Sequence, residues 1–507
     1  MSELNARIRA LFSEKAGERA MQFHGAWRTW GDMGRQVEAL DAAFARLGIG
    51  EWTPVGCVLR NAPEHVTALI GLVTANRCMI TLNGLLPEEQ LAADVVAMRP
   101  PVVIAAAQDW ARPALWDAAA QVGAAGLSLT GDLAQPVAAV AGLESVGPGP
   151  HLAPQDGVAI LMLTSGTTGA PKRVPLKHEV LERQVVAAAT GARHDGKADA
   201  QTMTGVEGAA ILHGSLVHIG GVWGVMTSVN GARAMCLLEK FTVPAWRAAM
   251  AEHKPTPRGA PPAALRMILD ANIPREEMSS LRTIGVGTAG VDPAVVDEFL
   301  ERYGLPVLAN YGATEFAGAV ASWPLADFKA HWRDKRGAVG RIHKHNDARV
   351  VDPLTGESLA PGIEGILELK GYNVNQDGAW VRTSDRAVLD ADRFLWIRGR
   401  ADNAINRGGF KVQPDDVVKV LQEHPAVSEA AVVGVADRRL GQVPVAAIIV
   451  KPGLSPPPEA ELDALVRARL MAYCAPVAYR FVADLPRTPS MKVSAPAVRE
   501  LFADLGS

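Results

Sequence analysis

The apolar run Val158-Ala159-Ile160-Leu161-Met162-Leu163 leads without a break into Thr164-Ser165-Gly166-Thr167-Thr168-Gly169-Ala170-Pro171-Lys172. Such a run predicts a short buried strand that delivers the following loop to a sheet edge. The loop after Leu163 has the chemistry to wrap an anion. Glycines open backbone geometries closed to other residues and expose successive N–H groups, the hydroxyls add donors, and Lys172 adds a positive charge. This is not the Walker loop, because Lys172 follows proline and precedes Arg173 instead of closing a Gly-Lys-Ser/Thr ending. Surface turns use the same residue types, so two readings stand at this point: a plain turn, or a polyphosphate cradle.

The surrounding rhythm supports a layered α/β chain. Pro54–Leu59, Met79–Leu82 and Pro101–Ala106 read as apolar strands, and the stretch 62–74 between the first two has helical spacing. At 507 residues the chain exceeds what one hydrophobic core usually serves, so at least two domains are expected. A second unit begins after Arg398-Gly399-Arg400-Ala401-Asp402. There Asp415–Glu423 has helical spacing, Ala430–Val435 and Val443–Val450 read as strands, and Glu459–Met471 reads as an amphipathic helix. The expectation is a large multi-layer α/β domain over 1–399, a hinge at 400–402, and a small mobile α+β domain over 403–507.

Charge narrows the partners. A formal net charge of −3 and the lack of any long basic run give no electrostatic case for nucleic acid or an anionic membrane. The N-terminal segment lacks the charged-then-apolar pattern of a secretory signal, and no apolar stretch is long enough to span a bilayer. A cytoplasmic protein with small-molecule partners is expected; the oligomeric state is not legible. Cys57, Cys78, Cys236 and Cys474 are widely spaced and form no metal-ligand pattern, so they read as reduced and structural.

Further segments turn the balance between turn and cradle. Asn310-Tyr311-Gly312-Ala313-Thr314-Glu315 follows a predicted strand and offers an aromatic face, a hydroxyl and a carboxylate suited to Mg²⁺. Thr383-Ser384-Asp385 and Gly399-Arg400 supply a carboxylate and a guanidinium able to hold ribose hydroxyls. Pro486-Arg487-Thr488-Pro489-Ser490-Met491-Lys492 carries one lysine on a C-terminal loop. In this order, together with His218 and Arg407-Gly408-Gly409-Phe410-Lys411-Val412-Gln413-Pro414, these segments resemble the adenylate-forming superfamily of acyl-CoA synthetases, peptide-synthetase adenylation domains and luciferases. The resemblance covers nearly the whole chain.

The resemblance implies ATP-dependent activation of a carboxylic acid, with Mg²⁺ and release of pyrophosphate. Thr164, Ser165, Gly166, Thr167, Thr168, Gly169 and Lys172 would cradle phosphates. Tyr311 would stack on adenine with Gly287-Thr288-Ala289 on its other side, flanked by Asn310 and Gly312, and Asp385 and Arg400 would hold ribose. Lys492, His218, Thr314 and Glu315 would be the catalytic set, with Glu315 at the metal and Asp402 as hinge. The acyl pocket would be lined near Gly220, Gly221, Trp223, Pro261, Pro262, Gly285, Phe316, Ala317 and Gly318. These are mostly small or apolar residues without a cation for a second carboxylate, which points to a compact hydrophobic or cyclic monocarboxylic acid.

The acceptor turns on departures from the family pattern. CoA ligases often carry basic residues around an aromatic-Lys-x-Pro-Lys/Arg stretch, where this chain reads Tyr473-Cys474-Ala475-Pro476-Val477-Ala478-Tyr479. CoA brings several phosphate charges, so the missing cations favour an amine such as an amino acid as acceptor, the chemistry of the coronafacate–amino acid ligases. Transfer to CoA is the alternative, and a non-catalytic acyl- or nucleotide-binding relative is a third reading. Arg173 stands where the family usually has glycine, Ser384 replaces glycine before the Asp, Asn403 replaces an acidic residue after the hinge, and Ser490-Met491 replaces a glycine before the lysine.

Overall fold

The computed structural model describes residues 2–164, 172–190, 207–260, 262–287, 291–375, 377–407, 410–437, 440–488 and 491–505. Four sheets are present among them. The first has seven strands in the spatial order Val137–Ala139, Ala125–Leu129, Val102–Ala106, Pro54–Leu59, Cys78–Asn83, Val158–Thr164 and Lys172–Lys177. Its five central strands are parallel, and the two edge strands run antiparallel. Side chains alternate between two cores, as the strand period of two requires. Val55, Cys57, Met79, Ile104 and Met162 join the core built with helices Trp30–Arg46 and Pro63–Thr74, while Val58, Ile80, Val103, Ala105 and Leu161 join the core built with Glu88–Met98 and Pro113–Gln121. Both faces of the central strands are therefore buried, which is why those strands are mostly apolar.

The second sheet has nine strands in the order Pro257–Ala260, Thr283–Val286, Val307–Ala313, Gly318–Ser322, Gly340–Ile342, Phe394–Arg400, Val381–Leu389, Gly365–Gly371 and Asn346–Val351. Its first three strands are parallel and the rest antiparallel. A four-stranded sheet of Ala210–Leu212, Met235–Leu237, Arg19–Phe23 and Ala26–Thr29 completes the large unit. The large multi-layer α/β unit expected from the sequence is thus present.

The small C-terminal unit is a five-stranded sheet of Phe410–Val412, Ile405–Arg407, Gly441–Val450 and Val427–Asp437, with Tyr479–Phe481 paired to Gly441–Val450. Alternate residues of Val427–Asp437 face two cores, one with helices Pro414–Gln422 and Glu459–Arg469, the other with Ala495–Glu500. The large unit's last strand, Phe394–Arg400, reaches the small unit through a short turn over Ala401–Asn403 that contains Asp402. Across this junction the Asp415 carboxylate accepts the Arg400 N–H, and Arg386 pairs with Asp416 at 3.3 Å. Burial raises the carboxyl of Asp415 above the ordinary range.

Among the described residues no helix is long and apolar enough to cross a membrane. The four cysteines are free thiols; Cys57 and Cys78 are buried, which pushes each thiol up to about 12.

Candidate active site

The candidate polyphosphate loop is the connection of an antiparallel hairpin. Thr164, the last residue of its strand, is the register partner of Lys172, the first residue of the next. Ser165, Gly166, Thr167, Thr168 and Gly169 lie outside the described residues. The base of the hairpin is held by Arg173, paired in register with Leu163. Its guanidinium donates to the Thr81 and Leu161 carbonyls and to the Asp94 carboxylate on helix Glu88–Met98, and Thr81 Oγ1 accepts the Leu163 N–H at 3.2 Å. Where the family pattern has glycine, this chain places a charged clamp between the hairpin and two neighbouring elements.

A second hairpin carries the Asn310–Glu315 segment. Strands Val307–Ala313 and Gly318–Ser322 pair up to Ala313 and Gly318, so the turn Thr314–Ala317 projects Thr314 and the exposed Glu315 from the sheet end. Gly312 permits this tightness, because a Cβ there would stand 2.2 Å from the Gly318 carbonyl oxygen. Phe316 and Ala317 are buried beneath the turn. Asn310 donates to the Val286 carbonyl at 2.8 Å, tying Gly287 and the end of the neighbouring parallel strand to this hairpin. Thr288 and Ala289 lie outside the described residues.

Tyr311 donates its hydroxyl to the Asp385 carboxylate, and burial together with that negative charge pushes the phenol well above its usual range. The Asp385 N–H donates to Thr383 Oγ1 at 3.1 Å, and Asp385 and Arg400 are register partners on adjacent strands. A sequence separation of fifteen positions thus becomes one cross-strand pair of opposite charge.

Lys492 reaches this cluster from the small unit. Its N–H donates to Thr488 Oγ1 at 3.3 Å, its carbonyl accepts the Thr488 N–H at 2.7 Å, and Arg487 pairs with Glu429 at 2.6 Å beneath the loop. Met491 adopts φ 62°, a left-handed conformation that glycine takes more easily. Lys492 lies within electrostatic reach of Arg400, Glu315, Asp385 and His218. Crowding around its ammonium, and next the Arg400 charge, lower its pKa below that of an ordinary lysine, while Glu315 and Asp385 oppose the shift. The residue is nonetheless exposed to solvent.

His218 occupies the N-cap position of helix Ile219–Asn230 yet makes no side-chain capping bond. Its Nε2 is buried without a hydrogen-bond partner. Burial first, and the Lys492 charge second, push its pKa down to about 4. An unfolded histidine takes up a proton near 6.5 whereas the folded one does not until about 4, so stability falls as pH drops through that window. The loss is of the order of 2–3 kcal/mol by pH 4. Urea titrations at several pH values should show this acid-side loss reduced in His218→Asn; an unchanged slope would contradict the depressed pKa.

The residues expected at the acyl pocket spread over four elements. Gly220, Gly221 and Trp223 open helix Ile219–Asn230, Gly285 lies in strand Thr283–Val286, and Phe316, Ala317 and Gly318 form the second hairpin. Pro262 begins helix Pro262–Asp270, and Pro261 lies outside the described residues. Gly221 answers a backbone demand, since a Cβ there would meet the Ser215 carbonyl oxygen at 2.2 Å. Gln184 on helix His178–Thr190, which lies against Gly318, escaped the sequence reading, and Arg173 was legible there only as a departure from glycine, because its partners are distant in the chain. Gln184 had a legible signal, being polar at the helical spacing of the buried Val180, Leu181 and Val185.

The AMP-binding enzyme family matches residues 9–376, and the AMP-binding enzyme C-terminal domain matches residues 417–492. The chain is 30% identical over 524 residues to an indoleacetate–CoA ligase of Aromatoleum aromaticum, with 96% of each chain covered. It is 30% identical over 362 residues to a long-chain-fatty-acid–CoA ligase of Bacillus subtilis, covering 68% of this chain and 62% of that protein. Across this relative and two 4-coumarate–CoA ligase-like proteins, the chain spans 61% to 64% of the relatives' own length. An amide bond synthetase from Marinactinospora thermotolerans shares the fold with a TM-score of 0.77 at 24% identity, covering 99% of this chain and 100% of that one.

Proposed function

Because the chain belongs to the AMP-binding enzyme family, we propose that it is an AMP-forming ligase that activates a compact, ring-bearing monocarboxylic acid with ATP. One observation carries this reading: Lys492, from the small unit, lies within electrostatic reach of His218, Glu315 and the Asp385–Arg400 pair, which come from three distant segments of the chain. Attack of a carboxylate on the α-phosphate of ATP brings anions together, so the site must neutralise and align charge. Lys492 and Arg400 supply the positive charge, Thr314 a hydroxyl donor, and the Thr164–Lys172 hairpin the phosphate contacts.

A substrate carboxylate oxygen bonds to the α-phosphorus, the bond to the β-phosphate bridging oxygen breaks, and pyrophosphate leaves. The product is an acyl-adenylate, a mixed anhydride. Neutral His218, with an unpartnered Nε2, is a hydrogen-bonding group for the acyl carboxylate. Asp385 is the carboxylate available to ribose, beside Arg400.

The residues also fit a phosphate-borne Mg²⁺. Among the described residues no cluster of three or more metal-ligating side chains exists, and a magnesium carried on substrate phosphates requires only one or two carboxylates. Glu315, exposed at the hairpin tip, would hold it. When bound, the ion neutralises phosphate charge.

In the second half-reaction the acceptor attacks the acyl carbon and AMP departs. The full-length similarity to an indoleacetate–CoA ligase supports CoA as that acceptor and a ring acid as the substrate. An amine is the second reading, supported by the uncharged Tyr473–Tyr479 stretch and by Arg407, whose Nη1 is committed to the Tyr473 and Ala475 carbonyls at 2.7 and 3.1 Å. The test is to supply ATP, Mg²⁺ and a panel of ring acids, with CoA and mixed amino acids together, and to follow pyrophosphate and product mass. Thioester is expected. Amide without thioester would move the acceptor to an amine, and no pyrophosphate with any acid would refute adenylation.

A further inference from the structure

Helix His178–Thr190 follows directly on the Lys172–Lys177 strand and turns Val180, Leu181 and Val185 into the core. Gln184 shares that face. Its carbonyl Oε1 is buried and has no hydrogen-bond partner. It points at the second hairpin: a Cβ placed on Gly318 would lie 3.5 Å from Oε1 and 3.8 Å from Cδ and Cγ. Gly318 is four positions after Thr314, and the neighbouring helix that packs on His178–Thr190 is Ile219–Asn230, which begins at His218. The side chain therefore lies between the elements that carry the reading of the acyl site, with an acceptor left over.

A buried carbonyl oxygen without a partner is unfavourable, whereas an apolar residue of the same shape would incur no such cost. Packing alone would favour leucine or methionine here. We propose that Gln184 is a specificity-determining residue whose Oε1 accepts a hydrogen bond from a hydroxyl or N–H carried on the ring of the acyl substrate. This rests on the adenylation reading and sharpens its substrate class from a plain hydrocarbon ring to one bearing a donor. A site that hydrogen-bonds a substrate donor rejects the analogue lacking it, because the protein group is then left buried and unpaired.

The test uses the full chain and ATP–pyrophosphate exchange with matched acids: hydroxybenzoates and hydroxyphenylacetates against their methyl ethers, and indole-3-acetate against its N-methyl derivative. Wild type should favour the donor-bearing member of at least one pair by about 10- to 100-fold in kcat/KM, mostly through KM. Gln184→Leu should bring that ratio close to one and melt no lower than wild type, since it removes an orphan carbonyl. Gln184→Glu, which retains an acceptor, should keep the preference. An unchanged ratio in Gln184→Leu, no preference in wild type, or a lowered melting temperature in Gln184→Leu would overturn the role. Absence of exchange with every acid would refute the adenylation reading itself, and the proposal with it.

Discussion

Lys492→Ala is expected to slow acyl-adenylate formation by about 10²- to 10³-fold, the usual effect of removing one preorganised group from a charge-developing transition state. Pyrophosphate release in single turnover is the measurement. The fold should persist, because Lys492 is exposed and its loop is held by Thr488 backbone bonds and the Arg487–Glu429 pair. Supplying preformed acyl-adenylate separates the half-reactions: its consumption by the acceptor should fall far less than its formation. In wild type, adenylation should decline with rising pH below the range of a free lysine, because crowding and Arg400 favour loss of the Lys492 proton. Unchanged pyrophosphate release in the variant would remove Lys492 from the reaction.

Arg60→Met is expected to destabilise the large unit by about 3–5 kcal/mol. Asp109 has no exposed side-chain surface, and Arg60 donates to it through Nε at 3.1 Å and Nη2 at 2.6 Å. Without Arg60 the carboxylate is left buried, with Arg112 at 3.5 Å as its remaining cation and the buried His65 close by. Arg112 places the effect toward the lower end of that range. The companion Arg60→Met, Asp109→Leu should recover most of the loss, since an apolar pair incurs no desolvation of charge. Urea unfolding of the single and double variants decides the matter: a single variant within about 0.5 kcal/mol of wild type would mean the pair carries little.

The difference between these two predictions is also the difference in legibility. Lys492 was visible because its neighbours Pro486 to Met491 form a local pattern. Arg60 and Asp109 were not, because nothing local in either segment signals a partner 49 positions away. Arg173 is similar. Its place beside the loop was plain, but its partners Thr81 and Asp94 come from a neighbouring strand and a helix across the sheet. Glycines show the same limit. Gly221 reads as lining the acyl pocket and Gly312 as flanking the adenine, and sequence cannot separate such roles from the close backbone approaches found at Ser215 and Gly318.

By itself the sequence determined the layered α/β class, the apolar strand leading into the hairpin loop, the small C-terminal unit and the segments that mark the family. Each of these is written in short-range terms, in a strand period of two, a helical period of 3.6, or glycine and proline at turns. Only the tertiary structure decided that Lys492 meets Glu315, Asp385, Arg400 and His218, and that Gln184 presents an unpaired carbonyl toward Gly318. The physical reason is distance along the chain. Such convergence depends on how sheets and helices pack and on a thin junction, the Asp415–Arg400 and Arg386–Asp416 contacts, whose geometry no local pattern encodes.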